Sequence, residues 1–255
     1  MAIDKKYRRI KKENQMKKHT YFLAFVMALL LNMSFSSVTC FAQNPIKTEK
    51  REVQNFHAIS FGGSFTVNIK VGDEESLIVE GQSEDINRVE TVVEKGVLKI
   101  RSKRGVKNWN SVGKKLTINI IAQKLDEFLL SGSGVMKIDG TLNSALADFQ
   151  VSGSGEIIAD LDTENANASV SGSGSIRLSG KTGASMFAIS GSGAIKSEGL
   201  ISDTAEVKIS GSGNVYLQTQ DELKVTLIGS GSVKYKGNPN ITLNKIGSGS
   251  VSEIK

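Results

Sequence analysis

Between Gly132 and Gly249 the chain spells Gly-Ser-Gly seven times, starting at Gly132, Gly153, Gly172, Gly191, Gly211, Gly229 and Gly247, at intervals of 21, 19, 19, 20, 18 and 18 residues. A unit of that length is one supersecondary element, too small to bury its own apolar face. Successive copies must therefore stack and share a core, which is the definition of a solenoid.

Aligning the copies on the tripeptide exposes a period of two on both sides. Two and four residues before it stand Phe128/Leu130, Phe149/Val151, Ala168/Val170, Phe187/Ile189, Val207/Ile209, Val225/Leu227 and Leu243/Lys245. Two residues after it come Met136, Ile157, Ile176, Ile195, Val215, Val233 and Val251, and four after come Ile138, Ala159, Leu178, Ser197, Leu217, Tyr235 and Glu253. Alternation on both sides reads as two short strands per coil, facing one core and joined at the glycines. A corner needs backbone angles or close approaches that a Cβ forbids. That assigns structural corners to the first glycines above and to Gly134, Gly155, Gly174, Gly193, Gly213, Gly231 and Gly249. In the last copy Lys245 and Glu253 stand at inward positions, which reads as a polar cap that discourages a further coil.

The stretch before the repeats shares their chemistry. Phe65, Val67, Ile69 and Val71 alternate after Gly62-Gly63-Ser64, as in a degenerate first coil, and Leu98/Ile100 and Leu116/Ile118/Ile120 read as further strands. No helical period occurs after residue 42, so strands are expected throughout. The extreme N-terminus is different. Lys17, Lys18 and His19 precede an apolar run from Tyr21 to Leu31, and Cys40-Phe41-Ala42 offers small residues where signal peptidase reads. The run is shorter than the ~20 residues that span a bilayer. Residues 1–42 are therefore read as a cleaved signal peptide, with Met16 an alternative start, leaving no transmembrane anchor in the mature chain. Residues 43–51 follow as a linker, and 52–255 as a single domain.

That division also settles the charge. The chain has 32 basic and 26 acidic residues, and the leader holds 8 and 2 of them, leaving 24 of each (32 less 8, 26 less 2). The basic excess belongs to the leader, which removes the case for a nucleic-acid partner. Cys40 is the sole cysteine, and Ser37-Val38-Thr39-Cys40 departs from the usual lipoprotein box. Cleavage after Ala42 leaves packing, without disulfides, to hold the exported domain.

Motifs with chemistry mostly fail on inspection. Ser179-Gly180-Lys181-Thr182 lacks the earlier glycine of a phosphate loop, whose place is taken by Ser175. The glycine runs lack the aspartate of a calcium β-roll. The mature chain has one histidine, His57, and no nucleophile elbow. Asp139 and Asp160 stand five past the tripeptide on successive copies. Strand spacing would set them roughly 5 Å apart, near the separation of a retaining glycosidase pair. Lys137, Arg177, Lys196 and Lys234 share that outward face, so a solvated ladder of ion pairs accounts for the same residues. A basic loop with Arg101, Lys103, Arg104, Lys107, Lys114 and Lys115 surrounds Trp109, the sole tryptophan. Trp109 is a candidate ligand contact, or a lid over the first coil. No catalytic residue, cofactor or metal ligand is assigned.

The succession Leu130-Ser131-Gly132-Ser133-Gly134, Val151 to Gly155, Val170 to Gly174, Ile189 to Gly193 and Ile209 to Gly213 resembles the GIN-type domain. So do Phe56-His57-Ala58-Ile59, Val97-Leu98-Lys99-Ile100 and the closing Val233 to Pro239. That family is described as an autotransporter-adhesin head and is frequent in Bacteroidetes-like bacteria. The resemblance implies an all-β, right-handed β-helix-like solenoid, here with about seven Gly-Ser-Gly cornered coils plus degenerate N-terminal ones. It also implies an envelope location: periplasm, outer-membrane surface or outside the cell. The expected function is an exported, non-enzymatic, adhesin-like binding module offering a surface to glycan or protein ligands. The alternatives are a polysaccharide-active enzyme using Asp139 and Asp160, or a periplasmic structural or lipid-associated protein. Outward Leu129, Ile158 and Tyr216 hint at the last.

Overall fold

The period of two becomes strand almost everywhere it occurs. The computed structural model describes residues 45–103, 105 and 116–254. In chain order the elements are β1 (Ile46–Arg51), β2 (Ala58–Gly63), β3 (Thr66–Val71), β4 (Ser76–Gln82), α1 (Ser83–Arg88), β5 (Val89–Glu94), β6 (Val97–Ser102), β7 (Thr117–Ala122) and β8 (Glu127–Gly132). Five long strands follow, β9 (Val135–Gly153), β10 (Glu156–Gly172), β11 (Ser175–Gly191), β12 (Ala194–Gly211) and β13 (Asn214–Gly229), and then β14 (Ser232–Lys236), β15 (Asn240–Ile246) and β16 (Ser250–Glu253). The long strands pair in parallel, each on the next, as the stacked coils of a β-solenoid of about seven turns.

Two ladders run along the stack. The arm after each corner continues the series β1-β4-β7-β3-β9 and ends at β14-β16. The arm before each corner continues β5-β6-β2-β8-β9 and ends at β15 on β13. Residues at the anticipated inward positions fill the core: Phe128, Phe149, Phe187, Ile157, Ile176, Ile195, Val215 and Leu217 are all buried. Phe128 and Phe149 stack ring on ring across adjacent coils, centroids 5.0 Å apart.

Each coil has more than two strands' worth of ladder. β9 to β13 run without a break from one corner to the next, because the polar middle of the repeat also pairs. In β10 the inward series Ile157, Ala159, Leu161, Thr163 gives way to Ala166, Ala168, Val170, so the alternation changes phase between Thr163 and Ala166. The middle positions bury hydroxyls rather than methyls, and these are matched between coils. Thr163 donates to Thr182 at 3.0 Å, and Ser197 to the Tyr216 carbonyl at 2.8 Å. Ser179 to Thr182, the phosphate-loop lookalike, belongs to this bend, with Lys181 paired to Asp162 at 3.1 Å.

The corner is a backbone-to-backbone stack. Gly172 sits at φ +113°, where a Cβ would lie 2.7 Å from the Gly153 carbonyl oxygen. That carbonyl accepts from the Ser173 N–H at 2.9 Å. Gly174 is enclosed in a different way, since a Cβ there would meet Val151 Cγ1 at 2.5 Å and the Gly155 carbonyl at 2.7 Å. The first glycine of each tripeptide thus supplies a left-handed angle, and the second makes room for the coil beneath.

The N-terminal end departs from sequence order and from expectation. The coil formed by β6 and β7 lies outside the coil formed by β2 and β3, since β6 pairs β2 and β7 pairs β3. Antiparallel β5 and β4 then cover β6 and β7, and β1 covers β4. Residues 46–51, read from sequence within a linker, are therefore a strand. They were illegible because every residue of Ile46–Lys50 is exposed, so no inward alternation is present. One short helix, α1, also interrupts the expected all-strand chain. Six residues are too few to show a 3.6 period, but Glu84 and Asp85 open it and Arg88 closes it, as its dipole favours.

Arg51 ties β1 to this cap. Its guanidinium donates to the Ile86 carbonyl at 3.0 Å, the Val89 carbonyl at 2.9 Å and Thr91 Oγ1 at 3.2 Å. Arg51→Ala leaves three acceptors short of a charged donor. A loss of about 2 kcal/mol is expected, which thermal denaturation should read as a fall of about 4–8 °C.

Candidate ligand-binding groove

On the arm before the corner, residues one, three and five places ahead of the first glycine point away from the core. The nearest column is Ser131, Ser152, Ser171, Ser190 and Ser210, all exposed and in direct register from coil to coil. The sixth and seventh coils place Ile228 and Ile246 there instead. The second column runs Leu129, Gln150, Ser169, Ala188, Lys208 and Thr226. Small side chains in the middle coils, between Gln150 on one side and Lys208 and Ile228 on the other, leave a groove of about 540 Å³.

The groove continues away from the corner. A hollow of about 260 Å³ is lined by Asn165, Asn167, Met186, Glu206, Glu222 and Lys224. Lys208 Nζ lies 3.0 Å and Lys224 Nζ 3.6 Å from Glu206 Oε1. The hydrogen bond from Lys208 chiefly, aided by the charges of Lys208 and Lys224, holds the Glu206 carboxyl below the usual carboxylate range against the opposing effect of burial. These three groups carry one net positive charge, two ammoniums on one carboxylate, while the larger groove presents serine hydroxyls between apolar groups such as Leu129, Ala188 and Ile228.

Sequence reasoning passed over this face. It used the Ser-Gly-Ser-Gly run for family resemblance and the corner, although serine at the place before the first glycine in five consecutive copies was a readable signal. The residues it did single out fare differently. Asp139 and Asp160 are not neighbours. The first interval, 21 residues against the next at 19, puts two extra residues into β9, and the register moves so that Asp160 faces Thr141. Asp139 pairs in register with Lys70. The Asp160 carboxylate accepts from Thr141 Oγ1 at 2.8 Å and Ser179 Oγ at 2.9 Å, so it serves as a hydroxyl bridge between coils. The two-carboxylate pair required for glycoside hydrolysis is not assembled there.

The anticipated ion ladder is also rearranged. Arg177 reaches Glu156 at 3.3 Å, and Asp160 takes hydroxyl partners. Leu129 lines the groove, but Ile158 and Tyr216 lie on the other arm. There they are separated by Arg177 and Lys196, so the three form no shared apolar patch. Lys234 Nζ sits 5.8 Å from the Tyr216 ring centre, a cation–π distance. Trp109 lies outside the described residues, as does the proposed signal peptide.

The fold defines a parallel β-solenoid whose outward sheet face carries the groove. The chain belongs to the family described as "putative auto-transporter adhesin, head GIN domain", whose model matches residues 55–239. Solved structures agree on the architecture. A "putative adhesin" from Bacteroides fragilis has a TM-score of 0.75 at 22% identity, over 82% of this chain and 97% of that one. A "putative adhesin" from Parabacteroides merdae gives 0.67 at 24%, covering 84% and 98%. A "putative lipid binding protein" from Parabacteroides distasonis gives 0.65 at 24%, also covering 84% and 98%. No curated protein matches the chain. Among the described residues, no helix is long and apolar enough to cross a membrane.

Proposed function

We propose that the protein is an exported, non-enzymatic, adhesin-like binding module, and that the face before the corner is its ligand surface. The observation that carries this reading is the groove itself, about 540 Å³ across β2 and β8 to β13, lined by hydroxyls and apolar groups. Its exposed serines recur at the strand spacing of ~4.8 Å. A ligand that repeats polar groups along a line meets the same donors and acceptors again and again. Weak contacts then add through repetition rather than through one deep pocket.

Those features favour a glycan over a protein ligand. Tight protein interfaces rest on aromatic and Arg anchors in their centres, and neither lines the groove. The family description supports an adhesin-like role. Binding of the purified protein to polysaccharide and matrix panels tests the reading, and an empty result on broad panels overturns it. Preferential capture by lipid vesicles would instead favour a lipid-associated role, to which Leu129 and Ile228 in the groove would contribute. Protease treatment of intact source cells checks the location. Loss of the protein without lysis is expected, whereas protection until the outer membrane is opened would mark a periplasmic resident and remove the adhesin reading.

A further inference from the structure

The two ends of the stack are built differently. At the N-terminal end antiparallel strands cover the last parallel coil, as described above. At the other end β15 and β16 each have one neighbour, β13 and β14, and their far edges are unpaired among the described residues. The core positions of this last coil lie open. Leu243, in register with fully buried Val225, is 47% exposed, and Ile241, in register with fully buried Leu223, is 43% exposed. An apolar strand edge of this kind is a template for another chain.

The charges on this end say which chain. Lys245 and Glu253 take inward positions on opposite arms, one cation before the corner and one anion after it. Lys245 already lies along the end face, its ammonium 3.1 Å from the Gly249 carbonyl, with two further N–H donors to offer. A twofold axis through the Ser248 corner exchanges the two arms. It would set β15 of one copy antiparallel to β16 of the other, with Lys245 opposite Val251 of the second copy and diagonal to its Glu253. Diagonal pairs of that kind are within reach of long side chains. The surface is therefore complementary to itself, as an isologous contact requires. Head-to-tail addition would instead bring this end against the antiparallel cap, which cannot continue a parallel coil.

We propose that the protein forms a closed twofold dimer through the open end of its solenoid, β15 pairing with β16 of a second copy and Lys245 with its Glu253. The charged inward residues then act against endless stacking and for one symmetric partner. Protein purified from expression of the full chain should sediment at twice the chain mass at micromolar concentration. Lys245→Glu should convert it to monomer by setting like charges together, with a far-ultraviolet circular dichroism spectrum like that of wild type to show that it folds, and a melting temperature that no longer depends on concentration. The double variant Lys245→Glu/Glu253→Lys should recover the dimer. A wild-type protein that stays monomeric at all concentrations overturns the proposal. So does a dimer indifferent to Lys245→Glu, or one that the double variant fails to restore.

Discussion

Gly172→Val should cost the protein about 3 kcal/mol or more, because two penalties fall on one atom. The first is conformational: φ is +113°, an angle that a β-branched residue adopts only under strain. The second is steric, since the new Cβ would stand 2.7 Å from the Gly153 carbonyl oxygen. That oxygen is the acceptor for Ser173, so it cannot retreat without breaking the bond that joins the two coils. Thermal melting should fall by about 6–12 °C or the protein should fail to accumulate. Ser173→Ala at the neighbouring, exposed position should change the melting point by little. Equal behaviour of the two variants would refute the assignment of the tripeptide as a corner.

Phe149→Ala should be as damaging by a different route, about 3–5 kcal/mol. Phe149 is fully buried and stacks on Phe128, with rings 5.0 Å apart and inclined by 8°. The next coil offers Ala168 in the same column, so truncation leaves two small residues side by side beneath the ring of Phe128. A solenoid transmits such a cavity poorly, since each coil contacts its neighbours alone. Hydrogen exchange should therefore show protection lost first in β8, β9 and β10, with β13 less affected. Uniform loss along the whole stack would contradict the coil-by-coil account.

What could be read in advance follows the same physics. The coils were legible because Phe128, Phe149 and Phe187 recur at a fixed distance from glycine, and burial enforces that recurrence. The polar middle was not, since past Leu161 the inward place holds Thr163 and the alternation then changes phase before Ala166, so that its pairing comes from the coils above and below. The capping strand β1 was missed for a related reason, since Ile46–Lys50 are exposed on β4 and show no inward face to read. The supposed carboxylate pair failed on a detail of counting. Two extra residues in β9 move Asp139 away from Asp160, and a period averaged over the repeats hides such a shift. The groove lies in outward residues, which core packing does not constrain, so its meaning depended on seeing the columns side by side.

The most direct measurement compares wild type with Ala188→Trp on a panel of linear polysaccharides, with binding read by equilibrium titration. Ala188 is in the floor of the groove, where an indole would fill the space without touching the core. The account predicts saturable binding by wild type and a loss of about tenfold or more in the variant, at an unchanged melting temperature. Equal affinity in the two proteins, or no binding by either, would contradict it.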